Sequence, residues 1–298
     1  MSQIELTLKP RDIEEGIDLR FFRPLGFAIT RMLARTKIRP TDVTVASLVI
    51  GAGAGHLLYY ENLWINLAGM IGFVIADLLD SVDGQLARLK CTRSHFGRTL
   101  DGVAGAVIFT SIYFHLALRL FHAGASPLIF FLAAVALASQ AMQNSIADYY
   151  RNAYVAYGLR GPKGDLDSTE ALRRQYNEIK QSGSMMQKLL LRLYINYTAR
   201  QEFLTPQFQR LRQLLAKASL DEQRLAEFAG HYRRLNRPLL KHYSWLATNL
   251  RMLIVFGLIF VNQSVWYFWF NVIVLNAFMA LLIWLHERHS RRLMLEIG

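Results

Sequence analysis

The sequence predicts an all-α integral membrane protein: six transmembrane helices preceded by an amphipathic interfacial helix, with a cytoplasmic helical insertion. Three observations carry that prediction. Apolar residues, 53% of the 298-residue chain, gather in runs at 43–60, 64–79, 103–121, 127–147, 246–261 and 265–285, most of them close to the ~20 residues a helix needs to cross a bilayer core. Lys and Arg are missing from the short connections 59–62, 122–126 and 262–264. They collect instead in the N-terminal segment, the 81–98 loop, the 151–243 segment and the C-terminal tail. The positive-inside rule then puts both termini and the 81–98 loop in the cytoplasm. Six crossings return the chain to its starting side, so hydropathy and charge agree.

Residues 1–42 form the cytoplasmic N-terminus and the interfacial helix. Within 15–37, Phe21, Phe22, Phe27, Ile29, Met32 and Leu33 mix with Arg20, Arg23, Arg31, Arg35 and Lys37. This suits a basic amphipathic helix on the inner leaflet, or equally a helix packed on the cytoplasmic part of the same protein. Its acids and early proline do not resemble a cleaved signal peptide. Pro40 then breaks the helix, and Thr41 or Asp42 caps the next.

Residues 43–150 hold the first four crossings. Cys91 alone supplies a thiol, so no disulfide forms within the chain. Residues 151–243 form a basic insertion with seventeen Lys and Arg against eight Asp and Glu. Capping boxes at Asp167–Glu170 and Ser219–Glu222 predict short helices near 168–181, 185–203, 207–218 and 220–235. The insertion reads as a platform for anionic lipid or phosphorylated substrate, or as a solvated helical addition. No nucleic-acid recognition motif accompanies its charge. Residues 244–298 hold the last two crossings and a tail. Asn262-Gln-Ser matches a glycosylation acceptor but lies too near the membrane to interpret.

The chemistry concentrates at the second and third crossings. Asp80 and Asp83 are one helical turn apart at the end of the second, and Gly97, Asp101 and Gly105 are spaced by four near the start of the third. If those faces meet, three carboxylates converge at the membrane surface, where ionisable groups need partners and are functional candidates. Hard oxygen ligands select Mg²⁺, Mn²⁺ or Ca²⁺, and Arg88 offers a fork-shaped cation suited to phosphate. Together they point to phosphoryl chemistry on a lipid, with two metals clamping the attacking and leaving oxygens of an in-line displacement. Helix-end acids paired with Arg88, Lys90 or Arg93 are the plain structural alternative.

The pattern Asp80-x-x-Asp83-Gly84-x-x-Ala87-Arg88, followed after eight residues by Gly97-x-x-x-Asp101, closely resembles the signature of the CDP-alcohol phosphotransferase family. The likeness extends to the six-helix layout, the helix before the first crossing and the Ile38-x-Pro40-x-x-x-Thr44 approach to it, but not to 151–243. It implies transfer from a CDP-linked donor, commonly CDP-diacylglycerol, to a hydroxyl acceptor with release of CMP, in a homodimer. It also implies that Asp80, Asp83 and Asp101 hold a pair of divalent ions, Mg²⁺ or Mn²⁺. Gly84, Ala87 and Arg88 would line the nucleotide and diphosphate site. The setting it suggests is a bacterial inner membrane with the active site facing the cytoplasm.

One position departs from the signature. Where the family has a fourth acid, a metal ligand and general base, this chain has Gly105. Asp77, one turn before Asp80, is the first substitute base, and His95 a second. An acceptor acidic enough to need no base is another possibility, as is a chain that binds a CDP-lipid or acts as a scaffold without turnover. Gly102, Ala104 and Gly105 also make a small-residue surface suited to helix packing. Arg251, inside the fifth crossing, is a candidate for an acceptor phosphate or donor headgroup, or it snorkels to the interface. Asp148, Tyr149, Tyr150 and Arg151 read as interface anchors, with Asp148 a weaker site candidate. The residues 266–269, Trp-Tyr-Phe-Trp, read as an outer aromatic belt.

Overall fold

A computed structural model describes residues 11–13, 16, 18–92, 95–159, 166–218 and 221–297. Every described element is helical. The helices are α1 (Arg23–Ala34), α2 (Pro40–Leu57), α3 (Leu63–Leu89), α4 (His95–His122), α5 (Leu128–Ala153), α6 (Thr169–Ile179), α7 (Met185–Leu204), α8 (Pro206–Lys217), α9 (Glu222–Tyr243), α10 (Thr248–Phe260), α11 (Val265–Trp269) and α12 (Asn276–Ile297). Five stretches among the described residues are long and apolar enough to cross a membrane: Leu63–Leu89, Thr99–His122, Leu128–Leu159, Glu222–Phe260 and Val265–Glu296. These mark a membrane protein.

The expected first crossing, α2, is not one of the five. Pro40, Asp42 and His56 near its two ends lower its mean hydropathy, while its glycines let neighbouring helices press close. A Cβ at Gly55 would lie 2.8 Å from Ser111 Oγ and 2.9 Å from the Ile112 backbone nitrogen, and one at Gly69 would lie 2.9 Å from the Ala54 carbonyl oxygen. Contacts this close between backbones are how helices associate in lipid, where apolar burial by itself gives little drive.

The chain divides into two compact units, Met1–Ala141 with Met252–Val272, and Met142–Arg251 with Ile273–Gly298. The first unit has a core of Leu58, Phe73, Ile112, Tyr113, Leu116, Ala136, Val255, Tyr267 and Phe268. Tyr113 donates to Gln140 Oε1 at 2.7 Å and lies against the Tyr267 and Phe268 rings. The aromatic belt therefore divides: Trp266 and Trp269 are exposed, whereas Tyr267 and Phe268 are core residues.

Local signals start the helices of this unit. Asn62 Oδ1 caps α3 by accepting from Trp64 N at 2.9 Å, as an asparagine before a helix does. Asp42 reaches back to accept from Arg39 N at 2.8 Å, while Pro40 occupies the first turn of α2, where its missing N–H costs nothing. Helix α1 packs on the end of α3. Thr30 donates to the Val82 carbonyl at 3.4 Å, Gln85 Nε2 reaches the Arg23 carbonyl at 3.4 Å, and Gly26 leaves room for the Gln85 amide. Phe21, Leu25 and Met32 of the same segment are exposed.

The second unit contains α6 to α9 and α12. Its caps lie next to the predicted ones. Ser168 accepts from Ala171 N, freeing Asp167 to accept from Tyr194 Oη at 2.5 Å. Asp221 caps α9 through Arg224 N at 2.8 Å, and Ser219 lies outside the described residues. Helix α9 continues through Pro238 to Tyr243, past the predicted end at 235. The lost backbone bond is tolerated where Leu239, Leu240 and Tyr243 are buried. Tyr149 and Tyr150, expected at the membrane surface, are instead core residues. Tyr149 Oη accepts from Gln209 Nε2 at 2.6 Å and Arg212 Nη1 at 3.3 Å, and the Tyr150 ring stacks on His286 at 3.9 Å.

Candidate metal centre

The acids come together where the last turns of α3 meet the second turn of α4. Asp80 and Asp83 share a face of the last turns of α3, and Asp101 stands in the second turn of α4. One carboxylate oxygen from each lies within 4.8 Å of the others. Asp80 is exposed, Asp101 half-buried and Asp83 buried at 7% exposure. Three carboxylates this close repel one another unless cations or protons neutralise them. The donor set, all hard oxygens with one open side, fits Mg²⁺ or Mn²⁺.

Asp83 is held from a third helix. Thr44 of α2 donates its hydroxyl to Asp83 Oδ2 at 2.5 Å, in a buried setting. The sequence reading placed Thr44 only in the approach to the first crossing. Its signal was the turn of helix between Pro40 and Thr44, which aims that hydroxyl towards α3. Lys90, offered by the plain structural alternative as a partner for the acids, instead donates to the carbonyls of Thr36 at 3.0 Å and Ile38 at 2.8 Å. Arg93 lies outside the described residues.

Gly84 follows Asp83 with open space beside it. A Cβ there would meet only Arg88 Nη2, at 3.6 Å. Ala87 and Arg88 lie on the next turn, both half-buried. Gly105 sits one turn beyond Asp101, and a Cβ built on it meets nothing within 4 Å, as at Gly102. Neither glycine is therefore pressed by a neighbouring helix among the described residues, whereas Ala104 of the same small-residue surface is buried. Asp77 lies half-buried on α3, one turn before Asp80, and is not in the converging group. The His95 side chain lies outside the described residues.

Residues 37–157 match the family model for CDP-alcohol phosphatidyltransferase. The chain carries a CDP-alcohol phosphatidyltransferase domain. The match covers about two fifths of the sequence and contains all three acids. The CDP-alcohol phosphatidyltransferases are enzymes of phospholipid biosynthesis that lie in the membrane, transfer a phosphate-linked group from a CDP-alcohol and generally depend on a divalent metal. No curated protein compared with the chain matches it.

Two other candidates belong to the second unit. Arg251 is fully buried, and its Nη2 donates to Gln143 Oε1 at 2.6 Å and to the Leu246 carbonyl at 3.0 Å. Asp148 accepts from Tyr197 Oη at 3.5 Å. Burial, then the adjacent Asp148 carboxylate, pushes the Tyr197 phenol well above its ordinary range, so it remains a donor to Asp148.

Proposed function

We propose that the protein transfers a substituted phosphate, the phosphatidyl group, from CDP-diacylglycerol to a hydroxyl acceptor and releases CMP. The observation that carries this reading is the convergence of Asp80, Asp83 and Asp101 within 4.8 Å inside the matched domain. These acids would hold Mg²⁺ or Mn²⁺, which when bound neutralises diphosphate charge and stabilises the leaving CMP. Arg88 would pair with the diphosphate, which comes close to the backbone at Gly84 and Ala87. The acceptor oxygen forms a bond to the lipid-side phosphorus, the P–O–P bond breaks and CMP leaves.

The acceptor's proton needs a destination, and Gly105 has no side chain to take it. Asp77 is the proposed base, being an acid one turn from the cluster. Asp101 contributes as metal ligand and as a catalytic group beside the acceptor. Arg251, held by Gln143 Oε1 and the Leu246 carbonyl, is the proposed contact for an acceptor phosphate or donor headgroup.

The setting proposed is six crossings with α2 as the first, α1 on the inner leaflet, and the acids at the cytoplasmic face of a bacterial inner membrane. The active species is a homodimer, and the 151–243 insertion stands on the cytoplasmic side. Support comes from the distribution of Lys and Arg and from the exposed Phe21, Leu25 and Met32 of the first helical segment. The alternative is a chain that binds a CDP-lipid without turnover, and the missing acid at 105 favours it.

One experiment separates the two. CMP release from CDP-diacylglycerol is measured with purified protein over serine, glycerol phosphate, inositol phosphate, choline-like alcohols and sugar phosphates, with and without EDTA. Release that EDTA abolishes supports the transferase. CDP-lipid binding with no CMP from any acceptor supports the alternative. Asp77→Asn should lower the rate about 10²-fold, as loss of a general base does, and full activity would dismiss Asp77. Gly105→Asp fits the open space at that position, and should leave the fold intact and restore part of the rate lost in Asp77→Asn.

A further inference from the structure

At the far ends of α2 and α4, away from the acids, a second cluster of metal-ligating groups stands with no assigned role. His56 Nδ1 and His115 Nε2 lie 3.0 Å apart. The close backbone approach at Gly55 brings the two rings together. Twelve residues separate His56 from Thr44, the partner of Asp83, a rise of about 18 Å along α2.

The hydrogen bonds fix which nitrogens carry protons. Ser111 Oγ spends its one hydrogen on the Ala52 carbonyl at 2.7 Å. His115 Nδ1 lies 2.8 Å from the Ser111 carbonyl and 3.2 Å from that Oγ. Both can only accept, so Nδ1 is protonated and Nε2 presents its lone pair to His56. On the other side of the His56 ring, Nε2 lies 3.4 Å from Tyr60 Oη, a group that can donate or accept.

We infer that His56 and His115 form a binding site for a borderline transition-metal ion such as Zn²⁺, Cu²⁺ or Ni²⁺, bridging α2 and α4. A tautomeric shift moves the His56 proton from Nδ1 to Nε2, where Tyr60 Oη accepts it. Two lone pairs then face one another and no proton is lost. With metal–nitrogen bonds of about 2.0–2.1 Å, a tetrahedral ion needs its donors about 3.3 Å apart, which a small rotation of the rings from 3.0 Å supplies. Each ring's outer nitrogen would donate to an oxygen, the arrangement that orients metal-bound histidines. His56 is exposed, which leaves the remaining coordination positions to water. Imidazole suits these ions, whereas the acid cluster suits hard ones, so the two sites divide metals by chemistry.

The test uses the full chain in detergent, saturated with Mg²⁺ and given one equivalent of Cu²⁺, read by electron paramagnetic resonance and by competition titration. Nitrogen superhyperfine lines from imidazole are expected. H56Q and H115Q should each weaken Cu²⁺ binding about tenfold or more. Asp80→Asn should leave the signal unchanged. So should H122Q, since His122 pairs with Tyr59 Oη at 2.8 Å instead. A spectrum of oxygen ligands only, or one that neither H56Q nor H115Q alters, would overturn the site. H56Q, at an exposed position, keeps the test decisive if H115Q does not fold.

Discussion

The acidic end of α3 and the tyrosine-rich interior of the second unit both bury polar groups, by opposite routes. At α3, like charges from a short stretch of chain converge, and one Thr44 hydroxyl orients the most buried of them. In the second unit, Tyr149, Tyr150, Phe208, Tyr232, Tyr243 and His286 come from four helices and meet mostly through ring faces and edges. The first arrangement is unfavourable without a cation, and the second is held by packing. The same observation, a buried polar group, therefore marks the candidate site in one region and a scaffold in the other.

Asp83→Asn should break the comparison furthest. The amide keeps the shape and can still meet Thr44, but it removes a charge needed to hold metal. Metal-dependent CMP release should fall by about 10²–10³-fold. The melting temperature in metal-free detergent solution should stay level or rise, because one carboxylate fewer relieves the repulsion. Lower stability together with lost activity would make Asp83 a structural acid.

Phe208→Ala should do the reverse. The ring is fully buried and lies 5.8 Å from Tyr149, 5.6 Å from Tyr157 and 5.1 Å from His286, centroid to centroid. Emptying that volume should cost about 3–5 kcal/mol, read as a drop in melting temperature. A loss below about 1 kcal/mol would show that the rings there are loosely packed.

The difference between the regions also decides what could be read from the sequence. Asp80, Asp83 and Asp101 were legible because helical spacing within α3 and within α4 sets which side chains share a face, and the two helices are consecutive in the chain. Thr44 was half-legible, since its turn from Pro40 gives a direction but no partner. Tyr149 and Tyr150 were misread as interface anchors because the groups that cover them, Gln209, Arg212 and His286, lie 60 or more residues later. The partner of Arg251 was illegible for the same reason, Gln143 being 108 residues away. The helices of the insertion were legible from caps and periodicity, but their caps shifted by a residue or two, as competing side-chain acceptors sit side by side there.

The smallest effect tests the scaffold side at one atom. Tyr149 and Tyr150 are neighbours, and both rings are buried. Tyr149 Oη accepts from Gln209 and Arg212, whereas Tyr150 Oη, among the described residues, is buried with no hydrogen-bond partner. Burying an unpaired hydroxyl costs about 1–3 kcal/mol, and removing one side of a made bond costs a similar amount. Tyr150→Phe should keep the stack on His286 and leave stability level or up by about 1 kcal/mol, while Tyr149→Phe should lower it by about 1–2 kcal/mol. The pair is compared by melting temperature in one detergent, where the two shifts should have opposite signs or Tyr150→Phe should show none. An equal fall in both would mean that the Tyr150 hydroxyl has a partner, such as a buried water, and that the second unit satisfies its polar groups as fully as the acidic end of α3 does with its threonine.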